Sequence, residues 1–272
     1  MRTRRGVGWT YAADMALRWS SHIVDSTGTV VYSEDAGRLQ PTASIGKIFL
    51  LAAAADAVAA GSLDLSMLIP RPSEPVADSG LWQHLAVEDL TLGDVAVLTA
   101  AVSDNLAANA LLDLLGLDAA DAAARSLGCV QSRLLDRIRA VRGAGDPIAP
   151  SVGRADELAE AVRRIQAQAD ADDQSTASAL RRWLSIGVDL SMVASAFHLD
   201  PLAHIDADRG VQLWNKTGTD TFVRADTGVV EGAQGWLAYA ALAEWDADCD
   251  DRDEAMDRMR KLGDRIRQCT LT

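Results

Sequence analysis

The sequence predicts an α/β (α+β) protein with an antiparallel sheet flanked by helices, formed from both ends of the chain, and an inserted all-helical subdomain. Three observations support this fold class. Residues 16–34 alternate in the manner of strands, and strand patterns return after residue 211. Between them, residues from about 90 to 199 show helical periodicity. A sheet formed by both ends of the chain leaves the middle as an insertion.

The same order of elements predicts a single unit over 1–272 with two subdomains. We expect an α/β subdomain over about 1–42 and 200–272, and a helical subdomain over about 43–199. Pockets favour such junctions, so the active site is expected between the two.

The first predicted elements are a β-hairpin and a buried helix. The hairpin turns at Asp25-Ser-Thr-Gly28, which has the composition of a tight turn. Residues 44–60 are apolar on every side and are followed by Gly61, a pattern that indicates a central helix surrounded by core. Residues 70–75 lie between two prolines and are predicted as a loop.

The middle of the chain contains three further predicted helices. One opens at Thr91-Leu-Gly-Asp94, a second follows Ser103-Asp-Asn105 over 106–115, and a third covers 157–168. The segment 143–147 is glycine-rich, ends in proline and is predicted as a loop.

The C-terminal third returns to strands and ends in a helix. Strands are predicted at 211–214, 223–230 and 236–242. Over 253–268, apolar residues recur at helical spacing, which indicates an amphipathic helix packed on a flat surface. These residues are Met256, Met259, Leu262 and Ile266.

Composition excludes several classes of function. The chain has 272 residues, of which 49% are hydrophobic and 24% charged, as in ordinary globular proteins. A net charge of −13 argues against nucleic acid or an anionic membrane as partner, because either needs a basic face. The acidic run over 244–257 is predicted to be a solvated loop and helix start rather than a cation site.

Targeting and cysteine signals predict a cytoplasmic protein. The basic start at residues 1–5 is typical of a secretory leader, but residues 6–25 contain no apolar stretch or cleavage site. The most apolar segment, 48–60, is too short to span a bilayer and contains Asp56. The odd number of cysteines fits free thiols in a reducing compartment. They are Cys129, Cys249 and Cys269.

Metal and cofactor motifs are not seen in the sequence. The four histidines lack the spacing of a zinc hydrolase, and the cysteines lack metal spacing. No glycine-rich phosphate loop occurs. We therefore expect no metal and no cofactor. The histidines are His22, His84, His198 and His204.

The positions of lysine are the most informative feature of the chain. Only three of its 26 basic residues are lysines, namely Lys47, Lys216 and Lys261. Arginine cannot release its proton in a protein, whereas a desolvated lysine can be neutral near pH 7 and act as a base. Lysine is therefore expected where arginine cannot do the chemistry.

Ser44 and Lys47 have the spacing of a nucleophile and its base. Three residues apart on a predicted helix, their side chains share one face. Unpaired N–H groups at the first turn favour a developing negative charge on Ser44, and desolvation lowers the pKa of Lys47. A single S-x-x-K string also occurs by chance, so a purely structural role is the alternative.

Three motifs in order resemble those of the serine β-lactamases and penicillin-binding proteins, and of the class A β-lactamases in particular. Ser44-x-x-Lys47 corresponds to S-x-x-K, Ser103-Asp-Asn105 to S-D-N, and Lys216-Thr-Gly218 to K-T-G. The resemblance runs from the first strand to the last helix and implies a β-lactamase-like fold.

The resemblance implies four catalytic residues. Ser44 would be the acylated nucleophile, and Lys47 would accept its proton directly or through a water. Ser103 would relay a proton to the leaving nitrogen. Lys216 would lie beside Ser103, keep the site positive and attract the carboxylate of a small-molecule substrate.

The resemblance also implies a set of substrate-binding residues. Asn105 would hydrogen-bond the acylamide side chain, and Thr217 would contact the substrate carboxylate. The backbone N–H groups of Ser44 and Thr219 would form the oxyanion hole. The full set is Asn105, Thr217, Gly218, Thr219 and Arg224.

Two residues near the K-T-G motif have alternative interpretations. Arg224 falls close to the carboxylate-binding arginine of class A enzymes, although its offset from Lys216 differs, and a salt bridge to Asp226 is the alternative. Trp214 is expected in the core or as a wall of the site.

One loop departs from the class A pattern. Aligning Asp136-Arg137 with the family's Asp-Arg pair places Arg139 where class A enzymes have the glutamate that activates the deacylating water. No glutamate occurs between Glu88 and Glu157. The nearby carboxylates are Asp136, expected to brace the loop through an ion pair, and Asp146. Acylation with slow deacylation is therefore expected.

Three functions remain open on the sequence alone. The first is a β-lactamase-like serine hydrolase that opens β-lactams or related acyl compounds. The second is a cytoplasmic esterase or amidase, such as a glutaminase, with the same nucleophile. The third is a ligand-binding pseudoenzyme, which the missing glutamate favours.

Overall fold

The computed structural model describes residues 17–74, 76 and 79–271. The basic N-terminal start and Pro75 lie outside the described residues. The strands are β1 Arg18–Asp25, β2 Val30–Glu34, β3 Gln40–Pro41, β4 Leu68–Pro70, β5 Asp89–Thr91, β6 Arg133–Leu134, β7 Ser151–Gly153, β8 Gln212–Asp220, β9 Val223–Gly232 and β10 Gly235–Glu244. The helices are α1 Lys47–Ala59, α2 Leu92–Ala101, α3 Asn105–Leu115, α4 Leu117–Ser126, α5 Ala155–Ala171, α6 Thr176–Leu184 and α7 Arg252–Leu271.

The main sheet is antiparallel and is formed from both ends of the chain, as predicted. Its strand order is β2-β1-β10-β9-β8, which leaves β8 at one edge. Side chains of β10 alternate between two cores: Leu237 and Tyr239 enter one, and Ala238 and Ala240 enter the other. Both faces of the sheet are therefore covered by helices.

The two faces are covered by different parts of the chain. The terminal helix α7 packs on one face together with the turn Val193–Phe197, through Met259 and Ile266. This confirms the predicted amphipathic helix. On the other face α5 packs against β1, β9 and β10, although it falls in the segment expected to form the helical subdomain. The subdomain boundaries expected at residues 42/43 and 199/200 therefore stay a prediction.

The β1–β2 turn has the predicted tight geometry. Gly28 has a φ of 87°, and its N–H donates to the carbonyl oxygen of Asp25 at 3.0 Å. The Asp25 carboxylate accepts from the backbone N–H groups of Thr27 and Thr29, each at 2.9 Å. Glycine at the left-handed position and aspartate at the turn start therefore specify this turn together.

The buried central helix starts later than predicted. The α-helical segment α1 begins at Lys47, and residues Ala43–Gly46 form a 3-10 turn before it. Ala43 has a φ of 49°, so the chain enters this turn from a left-handed residue rather than directly into α-helix. Ser44 therefore lies on a tight turn in front of the helix.

Helix caps fix the starts of the next two helices. The Thr91 side chain accepts from the backbone N–H of Asp94 at 3.1 Å and caps α2, as the sequence predicts. Asp104 caps α3 by accepting from the Ala107 N–H at 2.9 Å. The S-D-N segment is thus fixed at a helix start.

The helical insertion also contains short strands that periodicity does not reveal. β4 pairs with β5, and β7 pairs with both β3 and β6. Strands of two or three residues are shorter than one alternation pattern, so tertiary pairing alone defines them. Among the described residues, no helix has the length and hydropathy needed to cross a membrane.

Candidate active site

A cleft of about 510 Å³ lies between the edge strand β8 and the helical region. It brings together residues from all three sequence motifs, which are more than 50 positions apart in the chain. The predicted residues that line it are Ser44, Ser103, Asn105, Lys216, Thr217 and Thr219.

The turn that carries Ser44 is fixed from both sides by Ser151. The Ser151 hydroxyl donates to the carbonyl oxygen of Ala43 at 2.6 Å and lies 2.7 Å from the Thr42 hydroxyl. The backbone N–H of Thr42 donates to the Ser151 carbonyl oxygen at 3.1 Å. These bonds hold the left-handed Ala43 and place Ser44 at the cleft surface.

Gly218 allows β8 to approach the Ser44 turn closely. A Cβ atom placed on Gly218 would lie 2.2 Å from the Thr42 carbonyl oxygen and 3.1 Å from the Ser44 backbone nitrogen. Backbone atoms cannot yield to such a contact as a flexible side chain can. The middle position of the K-T-G string therefore has to be glycine for this strand to pass Ser44.

Lys47 is fully buried below the cleft and is held by three oxygen atoms. Its Nζ donates to the Ser103 carbonyl oxygen at 2.6 Å, to Asn105 Oδ1 at 2.7 Å and to Ser103 Oγ at 3.2 Å. Burial lowers the pKa of Lys47 well below its ordinary value, and the nearby charge of Lys216 lowers it further. Lys47 is therefore suited to accept a proton.

Ser103 has a strained backbone that aims its side chain at both lysines. Its φ is 56°, a left-handed conformation that costs a non-glycine residue about 1 kcal/mol or more. The neighbouring Asp104 carboxylate holds this conformation by accepting from the N–H groups of Leu81 at 2.6 Å and Trp82 at 2.8 Å, in addition to capping α3. The strain is thus offset by buried hydrogen bonds.

Lys216 reaches the same hydroxyl from the sheet. Its Nζ donates to Ser103 Oγ at 3.0 Å and to the Thr217 carbonyl oxygen at 2.8 Å. Burial lowers the pKa of Lys216 to about 8, although the carboxylates of Asp189 and Asp226 oppose the shift. At pH 7 Lys216 is therefore mostly charged, at the edge of its titration.

The two lysines fix the hydrogen-bonding role of the Ser103 hydroxyl, which accepts from both of them. A serine oxygen has two acceptor sites and one hydrogen. With Lys47 and Lys216 both donating to Oγ, its own hydrogen is left to point elsewhere, and Ser103 lines the cleft. The arrangement can pass a proton between the lysines and a group bound in the cleft.

A buried carboxylate lies behind β8, on the sheet face opposite Lys216. Asp226 accepts from Asn215 Nδ2 at 3.0 Å, from the Val193 N–H at 3.0 Å and from the Tyr239 hydroxyl at 3.1 Å. Burial raises the pKa of Asp226 to about 7. Its partners are thus all neutral groups, and the structure contains no salt bridge between it and Arg224 among the described residues.

Arg224 is not brought into the cleft. Its guanidinium donates to the carbonyl oxygens of Asp220 at 2.7 Å and Val223 at 2.8 Å, and lies 5.6 Å from the centre of the Trp245 ring. Trp214 lies in the core, the first of its two expected positions, and its Nε1 donates to the Gln166 side chain at 2.7 Å.

In the loop that departs from the family pattern, the carboxylate of Asp136 is paired with two arginines. Asp136 accepts from Arg139 Nε at 2.7 Å and from Arg142 Nη1 at 3.1 Å. Burial opposes ionisation, but these hydrogen bonds outweigh it and keep the pKa of Asp136 below its ordinary value. Asp136 thus braces the loop, as predicted, and Asp146 contacts Arg139 at 3.4 Å.

Besides Lys216, four charged side chains line the cleft, and of these four only Arg139 was placed near the site from the sequence. Neither Asp136 nor Asp146 lines it. The three lining residues other than Arg139 lie on loops or at a strand end, outside any motif, so only their position in the fold identifies them. The four are Arg139, Arg142, Asp189 and Asp220. Among the described residues, no group of histidine, cysteine or acidic side chains could hold a metal ion.

Comparison with known proteins identifies the family and the fold. The sequence matches the beta-lactamase enzyme family over residues 9–269. A beta-lactamase from Sphaerobacter thermophilus is similar in structure, with a TM-score of 0.76, 26% identity and coverage of 90% of this chain and 89% of that one. The chromosome-encoded beta-lactamase of Vibrio parahaemolyticus has a TM-score of 0.74 and 16% identity, with 93% of each chain covered.

A penicillin-bound structure is also similar in fold. It is a mutant of PBP-A, solved as an acyl-enzyme complex with penicillin G, with a TM-score of 0.73, 18% identity and coverage of 93% of this chain and 89% of that one. Among curated proteins, no match is found.

Proposed function

The chain belongs to the beta-lactamase enzyme family, and from that premise we propose that it is a class A-like serine hydrolase acting through an acyl-Ser44 intermediate. Its proposed substrates are β-lactams or related small acyl compounds that bear a carboxylate. The observation that carries the proposal is the buried hydrogen-bonded group Lys47–Ser103–Lys216 at the base of the cleft that Ser44 lines.

Acylation uses Ser44 as nucleophile and the two lysines as a proton system. Ser44 Oγ attacks the substrate carbonyl carbon, and Lys47 accepts the hydroxyl proton directly or through a water. When the carbon–nitrogen bond breaks, Ser103 gives its proton to the leaving nitrogen and is reprotonated from the lysines. The Ser44 and Thr219 N–H groups stabilise the oxyanion in this scheme.

The substrate-binding roles follow the same scheme. Asn105 donates to the acylamide oxygen while its Oδ1 holds Lys47. Lys216 and Thr217 bind the substrate carboxylate at the sheet edge. Arg224 is a weaker candidate for that role, because its guanidinium is bound to backbone oxygens outside the cleft.

Deacylation is proposed to be slow. The attacking water has to lose a proton, and the loop position that supplies the family's glutamate holds Arg139. Both nearby aspartates contact arginine and lie outside the cleft lining. Asp136, whose hydrogen bonds to arginine keep its pKa below the ordinary value, is a weak base. The acyl-enzyme should therefore accumulate.

The test is labelling of Ser44 by benzylpenicillin, followed by intact mass and peptide mapping. We expect one adduct per chain, on Ser44, and none in Ser44→Ala. Ser79→Ala is the control, because Ser79 is a second serine that lines the cleft, makes only a long hydrogen bond of 3.4 Å to the Ser103 carbonyl oxygen, and is not expected to carry the adduct. Labelling that persists unchanged in Ser44→Ala would contradict the proposal.

The missing glutamate favours a second candidate function, a ligand-binding pseudoenzyme. Turnover of a chromogenic cephalosporin distinguishes the two. We expect a burst of about one product per enzyme and then slow release. Binding without any adduct would indicate the pseudoenzyme. Fast turnover without an accumulating adduct would show that another group acts as the deacylating base.

A further inference from the structure

Two arginines face the cleft from the loop side while their carboxylate partners lie behind them. Arg139 and Arg142 both line the cleft, and their side chains are 36% and 23% exposed. The carboxylates that contact them, Asp136 and Asp146, are not part of the lining. The positive ends of these ion pairs are therefore presented to a bound ligand.

Helix α3 places these arginines beside the position proposed for the acyl side chain. Asn105 and Asn109 are one turn apart, so they share a face of the helix. Asn109 exchanges two hydrogen bonds of 2.8 Å with the backbone of Ile138, next to Arg139. A group extending from Asn105 along this face meets the arginine loop.

The opposite end of the cleft has acidic side chains. Asp189 and Asp220 line it beside the K-T-G strand, near Lys216 and near Arg224, which lies outside the lining. Guanidinium groups thus lie at the loop end of the cleft, whereas at the strand end two carboxylates partly balance the charge of Lys216. A ligand with a negative group toward the loop fits this field.

We infer that Arg139 and Arg142 form a specificity subsite for an anionic group, such as a carboxylate, on the acyl side of the substrate. The inference rests on the proposed function, because it takes Ser44 as the reacting centre and Asn105 as the acylamide contact. Asp136 occupies Nε and Nη2 of Arg139, and Arg142 donates to Asp136 and to two backbone carbonyl oxygens. A guanidinium has five N–H donors, so each arginine keeps donors for a bound carboxylate.

The probes are three penicillins that differ at one carbon. Benzylpenicillin has a neutral side chain, α-carboxybenzylpenicillin adds a carboxylate, and α-aminobenzylpenicillin adds an ammonium group. We measure the second-order rate constant of Ser44 acylation by intact mass. The carboxylated compound should react about tenfold faster than benzylpenicillin, and the amino compound slower, as expected for one or two partly exposed ion pairs.

Charge removal should reduce this preference. Arg139→Gln and Arg142→Gln should each lower the ratio of carboxylated to neutral rate constants about threefold. Arg133→Gln is the matched control, because Arg133 is an exposed arginine of the same region that does not line the cleft. In wild-type protein the ratio should also fall between 0.05 and about 0.5 M salt, since salt screens exposed charges. This salt test uses wild-type protein, so it stays informative even if a variant fails to fold.

The outcomes distinguish the subsite from the proposed function. Acylation by all three penicillins at equal rates, or fastest with the amino compound, would overturn the subsite and leave the proposed function standing. Acylation by none would overturn the proposed function as applied to β-lactams. The subsite would then be decided by calorimetric dissociation constants of the three compounds for Ser44→Ala, where equal affinities would overturn it.

Discussion

The basic residues of the cleft form two walls that differ in burial and in whether they can lose a proton. One wall, at the base of the cleft, contains Lys47 from α1 and Lys216 from β8, which are almost completely buried and share the Ser103 hydroxyl, at 3.2 and 3.0 Å. On the loop side, Arg139 and Arg142 are partly exposed and pair with Asp136. Burial lowers the pKa of both lysines, to about 8 for Lys216, whereas the arginines stay charged.

This difference separates proton transfer from charge recognition. The buried wall can accept and return protons, as formation of an acyl-serine requires. The loop wall can orient an anion, but an arginine cannot take a proton from water. The comparison therefore accounts for a site that should form the acyl-enzyme readily and hydrolyse it slowly.

The strongest test of the buried wall is Lys47→Arg. Charge and most of the volume are kept, but the neutral base is lost, so acylation should fall by about 10²- to 10⁴-fold. Lys261→Arg, on the exposed face of α7, is the matched control. Because arginine overfills the site, Lys47→Met should be measured as well. Retention of more than about a tenth of the wild-type rate in both variants would show that Lys47 is not the proton acceptor.

Gly218→Ala tests whether the reactivity of Ser44 depends on the close approach of β8 to the Ser44 turn. The new Cβ would lie 2.2 Å from the Thr42 carbonyl oxygen, so the strand must move away from Ser44. Misplacement by about 1 Å typically costs 10²-fold in rate, and we expect a loss of that size in acylation by benzylpenicillin. Gly145→Ala serves as control, because no atom lies within 4 Å of its added Cβ. An unchanged rate in Gly218→Ala would refute the positional requirement.

Arg139→Glu tests the loop wall. A glutamate there should supply the missing base and speed deacylation by at least about tenfold, measured as loss of the adduct by intact mass. Arg139→Gln is the matched control, because it removes the guanidinium without adding a base. Equal acceleration in both variants would attribute slow deacylation to the positive charge alone. If neither variant is faster, the alignment of this loop with the family is wrong.

The pH dependence of acylation should reflect the two lysines. The rate should rise as Lys47 loses its proton, since its pKa lies well below the ordinary value. Above the pKa of Lys216, about 8, the charge that attracts the substrate carboxylate is lost, and the rate should fall about tenfold within one pH unit. Lys216→Arg should remain active and lack this alkaline decline. If the decline persists in that variant, another group causes it.

The sequence by itself determined the fold class and the three motifs. Antiparallel strands from both chain ends, the buried helix before Gly61 and the amphipathic helix with Met259 and Ile266 were predictable, because side-chain periodicity follows burial. The lysines at 47 and 216 stood out because the other basic residues, except Lys261, are arginines.

Only the tertiary structure decided how these residues meet. The left-handed Ala43 and Ser103, the Ser151 bonds to the Ser44 turn and the position of Arg224 outside the cleft depend on contacts between distant segments. No local pattern encodes such contacts. Arg142, Asp189 and Asp220 were hidden for the same reason, because they lie on loops or at a strand end whose direction is set by packing rather than by propensity.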